Sequence, residues 1–155
     1  MNAAYKIADE PTPSRLSGWS VRPFWPLLGG MLGGAWLGLA WFAFNGLVVG
    51  SPHRRREVAC AILGLLGSVA LAVGVFWSAA AFELSGRQIK LSLLVLTLWK
   101  LTVYYVLHNL QSRSFDIYTF YGGKTKNGAA VALLALFLRG KLVDVVPTFW
   151  TLVLL

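Results

Sequence analysis

Phe24–Val49 reads FWPLLGGMLGGAWLGLAWFAFNGLVV, 26 residues without one ionisable side chain. At ~1.5 Å per residue its first twenty positions already match the ~30 Å hydrocarbon layer of a bilayer, so the stretch is expected to form one membrane-spanning helix. Gly29, Gly30, Gly33, Gly34 and Gly38 form a ladder within it. The pairs Gly29/Gly33, Gly30/Gly34 and Gly34/Gly38 have the small-xxx-small spacing that lets another helix backbone come close. Leu28, Leu32, Trp36 and Leu39 fall on the opposite arc and suit lipid. The segment therefore reads as the central packing helix of a bundle.

The remaining composition agrees with a bilayer environment. Of 155 residues 57% are hydrophobic and 13% charged, with a mean hydropathy of +0.65. A soluble domain carries about 25% charge and about 45–50% apolar residues. The length suits one compact unit. The net charge of +8 lies in short segments between apolar runs, where Lys and Arg set orientation or meet anionic headgroups, so nucleic acid is not expected as a partner. Cys60, the one cysteine, sits inside an apolar run and cannot close an internal disulfide. The first apolar run is too long for a secretory signal and lacks a small-x-small cleavage site, so it is expected to stay as an anchor.

Outward from the glycine helix, residues 1–23 read as a flexible polar tail whose Trp19, with Phe24 and Trp25 after it, suits the headgroup level. A second span is expected over about 58–82. Its small residues Cys60, Gly64, Ser68 and Ala72 recur every four positions and should meet the glycine face in a close antiparallel hairpin. Between the two, Arg54, Arg55 and Arg56 make a short basic turn facing headgroups. A third span, 91–110, carries a polar stripe: Lys90, Thr97, Lys100, Tyr104, His108 and Gln111 share an arc of about 80°. That stripe must face protein or water, because a charge alone in lipid costs ~3 kcal/mol or more. Helical character is expected to persist to Tyr121, with Gly122-Gly123 as the stop.

The last segment, 129–155, is long enough to span, yet contains Arg139, Gly140, Lys141, Asp144 and Pro147. One straight helix would expose a charge to lipid, so a kink or break near Gly140–Pro147 is expected, as a kinked fourth helix or as a fold-back, with the kink favoured. The expected fold is an all-α membrane protein: a single domain, 24–155, of four transmembrane helices in a compact antiparallel bundle. It would be integral to a membrane, the cytoplasmic (inner) membrane if the source is bacterial. Lys and Arg divide five to six between the two sides of such a bundle, which leaves orientation nearly undecided, with a lean towards Arg54–Arg56 being cytoplasmic.

Chemistry is scarce. Of six acidic residues only Asp144 lies within a span, so paired-carboxylate catalysis lacks parts. His53, His108 and Cys60 are too scattered for a metal site. Ser68 lacks the second glycine of a nucleophile elbow and reads as a seam residue. No catalytic group, metal or cofactor is expected. Lys100, Tyr104, His108, Arg139, Lys141 and Asp144 resist a purely structural account, either as a cationic pocket for an anion or lipid phosphate, or through a Lys100–Asp144 pair joining two helices. Two functions follow. One is a non-enzymatic helix-packing partner or accessory subunit of a membrane complex, including an assembly or immunity-type role, with another membrane protein or a second copy as partner. The other is an oligomeric channel or carrier for an ion or small solute, lined by the intramembrane charges Lys100, Arg139, Lys141 and Asp144.

Overall fold

The computed structural model describes residues 11–82 and 84–155, and among them finds six α-helices and no strand. The helices are α1 (Phe24–Gly33), α2 (Ala35–Val49), α3 (Arg54–Phe82), α4 (Gly86–Phe120), α5 (Ala129–Val145) and α6 (Thr148–Leu154). Two of them, α3 and α4, are long and apolar enough to cross a membrane.

The stretch that reads as one spanning helix is two. Gly34 adopts φ 104°, ψ 178°, a backbone conformation open to glycine and strained for residues with a Cβ, and the chain reverses there. α1 and α2 then lie against each other, with Gly38 so near the Cα of Gly30 that a methyl group on Gly38 would overlap it. The glycine ladder is thus used partly inside its own hairpin and partly against other helices: Gly29 lies under the Trp41 ring and Gly30 under Tyr104 of α4, while Gly33 meets Ala135 of α5. The expected antiparallel pairing with the second span is kept by α2 alone, which packs on α3 after a short turn, but the glycine ladder does not line it. The seam on α3 faces α4, where Gly64 meets Val103 and accepts a 3.0 Å hydrogen bond from Trp99 Nε1 on its carbonyl. Ser68 is buried and turns its hydroxyl back to the Gly64 carbonyl, 2.9 Å.

α3 begins at Arg54, so Arg54, Arg55 and Arg56 form the exposed first turn of a helix rather than a loop. α4 opens with a Ser85/Gln88 capping box and runs 35 residues, well beyond the expected 91–110. It ends before Gly122, whose φ is 84°. Trp99 and Val103 of α4 pack on Gly67 and Gly64 of α3, which makes α3 and α4 an antiparallel pair.

The final segment is also two helices. It breaks at Val146-Pro147, not at Gly140, which lies within α5. Pro147 supplies no N–H and forces the preceding residue out of helical geometry. α6 folds back: Phe149 meets Phe76 of α3 at 5.7 Å between ring centroids, and the Leu154 backbone returns to Gly34. The favoured kinked helix is therefore replaced by a reversal.

The N-terminal tail divides. Residues 1–10 lie outside the described residues, whereas 11–23 are tied to one end of the bundle. The Thr12 and Ser14 amides donate to the Gly50 and Val48 carbonyls at 3.0 and 3.1 Å. The Asn45 side chain holds both the N–H and C=O of Val21, at 3.3 and 2.8 Å. Lys126 donates its amide to the Ser20 carbonyl at 2.8 Å and sets its ammonium 3.9 Å from the Trp19 ring centre. Residues 11–23, the α2–α3 connection and the α4–α5 connection thus share one end of the molecule.

Candidate functional site: a cationic cleft where two helix ends meet

α1 runs from the end that holds Arg54 down to Gly33, and α6 comes up from the other end to Leu154. Their C-termini meet at mid-height, with Gly34 against the Leu154 carbonyl. The last carbonyls of a helix have no intrahelical donor, and each C-terminus carries up to about half a negative charge. Cations answer both needs. Arg139 of α5 places Nη1 3.3 Å from both the Met31 and Leu32 carbonyls at the end of α1. Lys100 of α4 donates from Nζ to the Leu152 carbonyl of α6 at 2.6 Å. Lys100 therefore caps a helix end and does not pair with Asp144, which is exposed on α5 together with Lys141.

Between these cations lies a cavity of about 350 Å³, lined by Met31, Thr97, Lys100, Tyr104, Arg139 and Leu155 among others and by no Asp or Glu side chain. Tyr104 is only 2% exposed, and its hydroxyl has no hydrogen-bond partner among the described residues. A buried hydroxyl in this condition costs roughly 1–3 kcal/mol. The side of the cleft is open because α4 packs on α1, α2 and α3 while α5 packs on α1 and α6.

The polar stripe of α4 is divided by the fold. Thr97, Lys100 and Tyr104 reach the cleft. His108 is half-buried outside it, 3.5 Å from Ser112 Oγ, and Lys90 is exposed. Gln111 belongs to a second polar centre nearer the Arg54 end. There Glu57, fully buried, accepts from Ser51 Oγ at 2.5 Å and from Gln111 Nε2 at 2.8 Å. Ser51 also lies 3.1 Å from Ser114 Oγ, and Gln111 Nε2 donates to the Phe42 carbonyl at 2.6 Å. Gly46 leaves the room: any side chain there would overlap the Glu57 carboxylate. These bonds answer the desolvation cost of a buried carboxylate and tie α2, α3 and α4 together. The expected second span, 58–82, leaves Glu57 just outside it beside the basic turn. The usable signal was that Glu57 follows three arginines yet opens an apolar helix face.

No protein-family model, curated protein or solved structure matches this chain.

Proposed function

We propose that this chain is an integral membrane protein with a non-enzymatic role, a packing subunit that presents one incompletely covered helix to a partner in the bilayer. The membrane reading rests on the outer surface. Leu63 on α3, Trp77 at its far end, Tyr105 on α4 and Phe137 on α5 are 62, 66, 64 and 77% exposed, far more apolar side chain than a water-facing surface tolerates. α3 and α4 each supply a crossing, and α5 a third of 17 residues. α1–α2 makes a re-entrant hairpin and α6 a half-helix. Backbone that stops at membrane depth is tolerated only when buried in protein or beside a polar cavity, as the ends of α1 and α6 are. This replaces four equivalent spans with three crossings and two fold-backs.

The hairpin also changes the charge count. With residues 11–23 returned to the Arg54 end, that end carries Arg15, Arg22, Arg54, Arg55, Arg56, Arg113, Lys124 and Lys126. The opposite end has Arg87, Lys90 and, late on α5, Lys141. Among the described residues, eight against three is a strong bias, and the positive-inside rule favours the Arg54 end as the cytoplasmic one.

The observation that carries the subunit role is the outer face of α5. This helix leans on α1, with only a light contact to α6, and its free face holds Phe137, Lys141 and Asp144 exposed together. A second helix would cover the first and pair with the other two. Mild-detergent purification should therefore recover a second polypeptide or an oligomer, and Lys141→Asp should weaken it. A strictly monomeric species that recovers nothing removes the subunit reading. The channel or carrier reading draws support from the cleft at Lys100 and Arg139, but Lys141 and Asp144 do not line that cleft.

A further inference from the structure

We infer that the cleft between α4 and α5 binds the acidic head of a membrane amphiphile, a carboxylate or phosphate monoanion, through Lys100, Arg139 and the Tyr104 hydroxyl. The inference rests on the membrane reading above and is independent of the subunit role.

Charge is the first argument. Two full positive charges, Lys100 and Arg139, face two helix C-termini, each worth at most about half a negative charge. No Asp or Glu side chain lines the cleft; Leu155 does, and any carboxylate there competes with the ligand for the two cations.

Donors are the second argument. Lys100 uses one N–H on Leu152 and Arg139 uses Nη1 on Met31 and Leu32. An ammonium has further N–H groups, and a guanidinium keeps Nε and Nη2, in the fork that suits an oxyanion. The unpartnered Tyr104 hydroxyl adds a neutral donor from the same wall.

Access is the third. Met31, Thr97, Leu101 and Val143 line the cavity and are also exposed at its mouth. The mouth therefore opens sideways between apolar walls, about 20 Å along α4 from both Gly86 and Arg113 at the helical rise. A ligand entering from lipid can leave its tail against those walls. The cavity of about 350 Å³ sits at the small end of ligand sites and suits a head group with the first few carbons.

The full chain in phosphatidylcholine vesicles, titrated with spin-labelled stearic acid and with its methyl ester, tests the inference by paramagnetic resonance. The acid should show a motionally restricted component that the ester lacks. Lys100→Met and Arg139→Met should each weaken it about tenfold or more, since each removes a charged donor. Tyr104→Phe removes one neutral hydroxyl and should weaken it about fivefold without lowering the thermal midpoint of the ligand-free protein. Should either cation variant fail to fold, the Tyr104→Phe result decides. Equal restriction of acid and ester, or unchanged binding in Tyr104→Phe, overturns the assignment. Displacement by acetate or inorganic phosphate as readily as by unlabelled stearate would point to a free anion and also overturn it. Wild-type protein that stays in the vesicles yet restricts no acid sinks this inference alone.

Discussion

Gly30 and Gly38 face each other across the reversal at Gly34, with no room for even one methyl group between them. Eight residues of one continuous helix would separate them by about 12 Å. Their contact is what turns an apolar run of spanning length into a hairpin, and the placement of Arg139, Lys100 and the N-terminal segment follows from it.

A side chain at either Gly34 or Gly38 should open that hairpin. Gly38→Leu overpacks a backbone contact, and Gly34→Leu adds strain at positive φ and a clash with the Leu154 carbonyl. Each is expected to cost about 3 kcal/mol or more. Gly74 in α3 and Gly140 in α5 have open space around them, so alanine there should be neutral or stabilise by up to about 1 kcal/mol. Thermal unfolding in detergent separates the pairs. Equal losses at Gly38 and Gly140 would contradict the hairpin.

The hairpin makes a topology prediction that four simple spans do not share. In a Cys60→Ser background, cysteines at Ser14, Arg55 and Gly122, all exposed, should react with an impermeant maleimide from the cytoplasmic side, and one at Gly86 from the opposite side. Labelling of Ser14 and Gly86 from the same side would restore the four-span arrangement.

Glu57 should behave as a buried joint rather than a surface charge. Glu57→Ala leaves Ser51 and Gln111 without their acceptor and is expected to cost about 3 kcal/mol. Arg55→Ala, two residues away and exposed, should change stability by less than about 0.5 kcal/mol. Similar midpoints for the two variants would show that the network contributes little.

Arg139 should hold α5 to the end of α1. Replacing it with Met leaves the Met31 and Leu32 carbonyls without their side-chain donor, while apolar contacts such as Gly33–Ala135 remain. Amide exchange in residues 31–36 should then accelerate about tenfold, while the α3–α4 pair keeps its protection. Unchanged exchange at both places would mean that apolar packing alone secures α5.

Helical content, the long apolar helices α3 and α4, the glycine stop after Phe120 and the inward need of Lys100 were all legible along the chain, because each follows from local composition and from a period of 3.6. Lys100 had to meet protein, and its position on a stripe with Thr97 and Tyr104 was readable. Which protein groups it would meet was not. The Leu152 carbonyl is 52 residues away and becomes an acceptor only because α6 happens to end there.

The tertiary structure alone decided the two reversals. A glycine in an apolar run permits a straight helix and a sharp turn alike, and the choice is made by contacts from Gly38, Ala135 and Leu154 that converge on one point from distant parts of the chain. The same holds for Glu57, whose partners Ser51 and Gln111 come from the α2–α3 connection and from α4. Local sequence sets what a segment is able to be, whereas burial of a polar or backbone group is satisfied only by neighbours that folding brings together.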